Sequence, residues 1–217
     1  MRYDLQIVAS WIEPGARVLD LGCGQGDLLD YLRGEKDARG MGIEIDGEKV
    51  QAGIGRGLSI LQGDIGEEIK DYPKDMFDYV ILSQTLQQVY DPLALIREML
   101  RVGRMGIVSF PNFSHYRARL QLLFSGVAPT TRELPYQWYD TPNIRVITIR
   151  DFTRFCAAGG FTILKSAAIK TYYKEETGEA LRLLPNLRAS YGVFLLERGD
   201  RDRREIESGK SGEKPLF

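Results

Sequence analysis

Three glycines at single-residue spacing, Gly22, Gly24 and Gly26, follow a short apolar run, Val18, Leu19 and Leu21, that carries one acid, Asp20. Glycine accepts positive φ and lets a ligand approach the bare backbone. A helix expected just after Gly26, from the spacing of Leu28, Leu29 and Leu32, would offer unpaired N–H groups and a positive dipole end to an anionic group. Asp20 would repel a pyrophosphate there but could orient an ammonium. A dinucleotide fingerprint also needs its third glycine five residues after the first, and this run is one residue shorter. These residues therefore favour a small ligand bearing both a carboxylate and an amine over NAD. The plainer alternative is a glycine-rich turn with no ligand.

A second acid strengthens the ligand reading. Glu44 lies 24 residues after Asp20, at the end of the apolar segment Met41 to Ile45. That is close to the spacing at which an acid takes ribose hydroxyls in strand–turn–helix nucleotide sites. A solvated acid at a strand end is the alternative. His115 is the only histidine, and its place at an expected helix start reads as a cap more readily than as a catalytic base. Cys23 and Cys156 make neither a metal-binding spacing nor a disulfide framework.

These groups need a scaffold, and the alternation of patterns supplies one. Leu5, Val8, Ala9 and Ile12 mark a first helix with Asp4 as its expected N-cap. Strands are expected at Val18–Leu21, Met41–Asp46, Leu58–Leu61, Phe77–Leu82, Ile107–Phe110, Phe161–Ile169 and Ala189–Glu197. Between them lie a weak helix through Val50 and Ile54, and a helix opened by Asp91-Pro92 with the stripe Leu95, Ile96, Met99, Leu100. A helix from His115 to Phe124 carries Arg117 and Arg119 and stops at Gly126. Another is opened by the capping box Thr148-x-x-Asp151 and stopped by Gly159-Gly160. Strands alternating with helices predict an α/β fold with a mostly parallel, doubly wound sheet.

Residues 127–147 break the alternation. Two prolines and three large aromatics, Tyr136, Trp138 and Tyr139, fall within Leu134–Asn143, which predicts an ordered lid or docking surface. A cover over core alone is the alternative. A polar loop is expected between the last two strands, and a disordered tail over 198–217. One domain, 1–197, is therefore expected. The 29 basic and 30 acidic residues, net −1, leave no overall field for nucleic acid or an anionic membrane. No apolar run reaches membrane-spanning length, and no signal-peptide core opens the chain. The cytoplasm is the expected location.

Val18–Gly26 resembles motif I of class I S-adenosylmethionine (SAM)-dependent methyltransferases. The resemblance implies their Rossmann-like seven-stranded fold and a cofactor site for SAM or its demethylated product, without metal. It places Asp20, Gly22, Cys23, Gly24 and Gly26 around the amino-acid end of the cofactor and Glu44 at the ribose, with Ile45 beside it among the cofactor-binding residues. It places Asp64 and Ile65 at the adenine, where a carboxylate accepts from an exocyclic amine and an apolar neighbour covers the ring. Asp64 is otherwise a turn residue after Gly63. Phe77–Val89 resembles motif IV, which puts Ser83 at the cofactor. Its Ser-Gln-Thr-Leu disfavours methylation of a nucleobase or amide nitrogen, and Gln88 stands where many small-molecule methyltransferases carry a histidine. A glutamine amide cannot serve as a general base, so no catalytic residue is assigned.

A closer resemblance covers residues 3–165. Val18–Gly26, Tyr79–Gln87, Met99–Arg104, Ser109–Phe113 and Leu134–Ile144 together look like the MetW family of methionine-biosynthesis proteins. That resemblance implies a partner, homoserine O-acyltransferase, and leaves two roles open. One is a SAM-binding accessory protein whose lid, Tyr136, Trp138 and Tyr139, meets substrate or partner. The other is an active methyltransferase on a small molecule.

Overall fold

The computed structural model describes residues 1–172 and 176–199. Among them, eight strands form one sheet: β1 (Arg17–Leu21), β2 (Arg39–Glu44), β3 (Ser59–Gln62), β4 (Phe77–Ser83), β5 (Gly103–Pro111), β6 (Phe161–Thr171), β7 (Gly178–Ala180) and β8 (Tyr191–Arg198). Their order is β3-β2-β1-β4-β5-β8-β6-β7. Strands β1 to β5 are parallel, and β8 runs antiparallel between β5 and β6. The connection direction reverses between β1 and β4, the switch point at which open α/β sheets bind ligands.

Among the described residues eight α-helices flank the sheet: α1 (Tyr3–Trp11), α2 (Asp27–Lys36), α3 (Gly47–Gly55), α4 (Ile65–Glu68), α5 (Pro92–Val102), α6 (Tyr116–Ser125), α7 (Ile149–Gly159) and α8 (Pro185–Arg188). Side chains alternate across the strands, so each face builds its own core. Leu19, Leu21, Val80, Leu82, Val108 and Phe110 join the buried stripes of α5 and α7 on one face. Val18, Tyr79, Ile81, Ile107 and Leu195 join α1 and α2 on the other. Asp20 shares the second face with Val18, which places a carboxylate under α1. Cys156 lies within the first core, as a packing residue.

The helix ends follow the local chemistry. Asp91 accepts from the Ala94 N–H at 3.0 Å with Pro92 in the first turn. Thr148 Oγ1 accepts from the Asp151 N–H at 3.1 Å and donates to Asp151 Oδ2 at 2.7 Å. Thr148→Ala therefore removes a cap worth about 1 kcal/mol and lowers the melting temperature by about 2–4 °C, read by thermal denaturation.

Three expectations are corrected. Asp4 is not the N-cap of α1, which begins at Tyr3 with Arg2 before it. It is buried in the first turn, accepting from Arg2 Nε at 3.2 Å and from Gln84 Nε2 at 2.9 Å, and those tertiary donors outcompete a cap. The weak helix expected through Val50 and Ile54 is α3; Gly53 is its close-packed residue, where a Cβ would lie 2.2 Å from Ile60 Cδ1. The sheet has eight strands, one more than seven. The polar stretch before β8 contains β7, which pairs with Ile169–Thr171 of β6, and α8. Three residues are too few for an alternation signal. The tail expected over 198–217 lies outside the described residues from 200 onward. Among the described residues no helix is long and apolar enough to cross a membrane.

Candidate functional site

The carboxyl ends of β1, β2 and β4 open into a cleft of about 1230 Å³. The loop after β1 is folded by its own backbone. The N–H groups of Gly22 and Cys23 donate to the Ile43 carbonyl at 2.8 and 3.2 Å, and the Gly26 N–H donates to the Cys23 carbonyl at 3.0 Å. Gly22 has φ +73°, and a Cβ there would lie 2.6 Å from Thr85 Oγ1. This position needs glycine twice over, for conformation and for space.

Glu44 fixes the loop from the second strand. Its side chain is nearly buried, 7% exposed, with Oε2 accepting from the Gly24 N–H at 2.8 Å and Oε1 from the Asp46 N–H at 3.0 Å. One carboxylate thus ties the glycine loop to the start of α3 while lining the cleft. Asp20 is 4% exposed and accepts no hydrogen bond among the described residues. Burial pushes its carboxyl up to about 7, against the pull of Arg2, and Glu44 adds to the rise. A buried acid without a donor at the wall of a cleft is suited to a cationic ligand group.

Asp20, Gly22, Cys23, Gly24, Glu44, Ile45, Asp64, Ile65 and Ser83 all line the cleft. Gly26 does not. It stands behind the loop with φ +81°, and a Cβ would meet Leu58 Cδ1 at 2.4 Å, so its role is to let α2 close on the sheet. Burial and the charges of Asp20 and Glu44 hold the Cys23 thiol well above its ordinary range, which makes it a wall and not a nucleophile. Ile45 is 67% exposed, an apolar platform awaiting a flat group. Asp64 does the work of a turn residue, accepting from the Gly66 N–H at 2.8 Å to cap α4, while also lining the cleft. Ser83 Oγ shares a hydrogen bond with Ser109 Oγ at 2.9 Å.

The lid divides. Tyr136 lines the cleft, whereas Trp138 and Tyr139 lie outside it and are largely exposed. Its C-terminal end is stitched to the segment after β4, the Ile144 and Arg145 N–H groups donating to the Gln87 carbonyl at 2.9 and 3.0 Å. His115 is a cap: its Nδ1 accepts from the Arg117 N–H at 3.4 Å, and it does not line the cleft. Gln84 and Gln88 do, and neither can take a proton. Sequence reasoning missed Arg2 and Leu5, which also line the cleft. The helical pattern of α1 gave Leu5 as core, but nothing local tells that this helix closes one end of a site.

Known proteins resemble this chain in sequence and in fold. The sequence model described as "Methionine biosynthesis protein MetW" matches residues 2–196. The chain is 38% identical over 160 residues to the bifunctional methionine biosynthesis protein MetXA/MetW of Rhodopirellula baltica, covering 70% of this chain and 26% of that protein. It is 33% identical over 97 residues to ajmaline N-methyltransferase of Rauvolfia serpentina, covering 41% of this chain and 33% of that enzyme. The chain thus spans about a third or less of either relative. A SAM-dependent methyltransferase of Thermotoga maritima, described as a possible histamine N-methyltransferase, superposes with a TM-score of 0.66 at 17% identity, covering 90% of this chain and 87% of that one. The last match concerns the fold alone. With a family match over nearly its whole length, this chain belongs to the MetW family of methionine biosynthesis proteins.

Proposed function

We propose that the cleft holds SAM or S-adenosylhomocysteine and that the protein supports homoserine O-acyltransferase as a partner, with cofactor occupancy reporting the end state of the pathway. The residues fit the cofactor. Asp20 would face its ammonium, Glu44 its ribose hydroxyls, Asp64 its adenine amine, with Ile45 and Ile65 against the ring. Gly22, Cys23 and Gly24 would present backbone at the amino-acid end, and Ser83 would close the side toward β4. When bound, SAM supplies an electrophilic methyl group; this chain's own residues bind and orient it, and Gln84 and Gln88, which line the cleft after β4, take no proton. The observation that carries the partner role is the bifunctional relative, whose name joins MetXA to MetW. We read MetXA as the acyltransferase. Two activities on one chain work at high effective concentration, which suits a pair that acts together.

The test is acyl transfer to homoserine by the cognate acyltransferase, with and without this protein and with or without SAM. The expected result is a severalfold rise on addition and a further change with SAM, because an effector must bind two functional states with different affinity. No rise and no co-purification would remove the partner role.

The size of the cleft favours a second reading. It continues past the cofactor residues to Gln84, Gln88 and Tyr136, space for a small methyl acceptor. Such an enzyme would work by proximity and orientation. Turnover of SAM with a defined acceptor would establish it.

A further inference from the structure

An amino-acid head carries an ammonium and a carboxylate, and Asp20 answers only the first. The distribution of free donors decides where the second goes. In the loop after β1, the N–H groups of Gly22 and Cys23 are committed to the Ile43 carbonyl, that of Gly24 to Glu44 Oε2, and that of Gly26 to the Cys23 carbonyl. The start of α2 suits an anion no better. Its first turn holds Asp27 and Asp30, and carboxylates of its own already answer the positive end of a helix dipole.

A cation stands at the α1 side of the cleft. Arg2 lines the wall together with Leu5 and Asp20, and its charge reaches Asp20, where it opposes the effect of burial on that carboxyl. Arg2 is held without being used up. Its Nε and Nη2 donate to the two oxygens of Asp4 at 3.2 and 3.3 Å. A guanidinium has further N–H groups on both terminal nitrogens, and these meet no acceptor among the described residues. Asp4 fixes the pose. It is 1% exposed and accepts from Gln84 Nε2 at 2.9 Å as well, which ties α1 to the end of β4. Gln84 has left-handed backbone, φ +54°, a conformation that persists in such a residue only where the surroundings impose it. The Asp4 contact and the bond from the Gln84 N–H to the Ser109 carbonyl at 2.8 Å impose it here. A buried carboxylate gripped from two sides preorganises the guanidinium it holds.

We propose that Arg2 receives the ligand's α-carboxylate while Asp20 receives its ammonium, with Asp4 as the positioning residue, so that the site selects a nucleoside with an intact amino-acid head. The inference rests on the cofactor reading proposed above. The contact it adds is a charge-assisted pair, which gives geometric selectivity as well as affinity.

The experiment is calorimetric titration of the full chain with three ligands. SAM has the whole head, decarboxylated SAM keeps the ammonium alone, and 5′-methylthioadenosine lacks both groups. Wild type is expected to bind SAM at least tenfold more tightly than decarboxylated SAM. Arg2→Ala is expected to erase that margin by weakening SAM alone, and Arg2→Lys to keep part of it, because lysine retains the charge and loses the fork. Asp4→Asn should weaken SAM severalfold and leave 5′-methylthioadenosine unchanged, a split that general damage to the fold would not give. Arg2→Ala that keeps the wild-type preference for SAM hands the carboxylate to the start of α2, and it overturns the inference while the cofactor reading stands. A loss in Asp4→Asn shared by all three ligands overturns the positioning role of Asp4. Wild type that binds none of the three overturns the inference and the cofactor reading together.

Discussion

Glu44→Ala lowers the affinity for SAM on the order of 100-fold and also destabilises the apo protein. The two effects have separate origins. In the protein alone the carboxylate accepts from the Gly24 and Asp46 N–H groups, and its loss leaves two half-buried donors without that acceptor, at about 1 kcal/mol each. Toward the ligand, two ribose hydroxyls lose a charged acceptor, and hydrogen bonds to charged groups are worth about 1.5–3 kcal/mol apiece. Glu44→Gln separates the two. It keeps an acceptor for one backbone donor, so most of the stability remains, while affinity still falls because a neutral amide replaces the carboxylate. Calorimetric titration with SAM and thermal denaturation of both variants check this. Unchanged affinity in Glu44→Ala would move the ligand away from β2.

The parts of the site that the sequence made legible are those in which a local pattern and a local cause coincide. The glycine run is needed at Gly22 by backbone sign and by Thr85, at the point where an apolar strand ends. Asp91-Pro92 and Thr148-x-x-Asp151 are complete helix starts within four residues. Glu44 follows from its interval after Asp20, as Ile45 follows from Glu44. Distance hid the rest. Asp4 looks like a cap until Gln84, 80 residues away, donates to it. Nothing between Tyr136 and Trp138 in the sequence says that one faces the cleft and the other solvent, because the lid has no repeating geometry from which to infer a side. Helix α6 was legible as a helix with its stop at Gly126, but the direction of its side chains was not. Its spacing was readable, but periodicity reports that a stripe exists and not which way it faces. Ala118 is its buried residue.

SAM binding is expected to follow a bell in pH, with Asp20 setting the acid limb. Burial lifts this carboxyl to about 7 in the folded protein, while the unfolded chain keeps a value of about 3.9. The folded state therefore holds an extra proton between those values, and by linkage the apo protein loses stability as pH rises through that window. A ligand ammonium reverses the preference, because it favours the ionised carboxylate. If only ionised Asp20 accepts the ligand, affinity rises about fifty-fold from pH 5 to pH 7, with close to one proton released per SAM bound at the acid end. Above about pH 8 affinity falls again as the ligand's own α-amino group loses its proton. Asp20→Asn is the discriminating variant. It is nearly isosteric, it flattens the acid limb, and it stabilises the apo protein at pH 8 by on the order of a few kcal/mol by removing a buried charge without a donor. Titration calorimetry in two buffers of different ionisation enthalpy reads the proton release directly, and thermal melts from pH 5 to pH 8 read the stability. Wild-type affinity that does not change from pH 5 to pH 7 would mean that the ligand's cationic end lies elsewhere. The buried acid of β1 would then be a cost to the fold with no ligand to offset it, which its place at the wall of the cleft argues against.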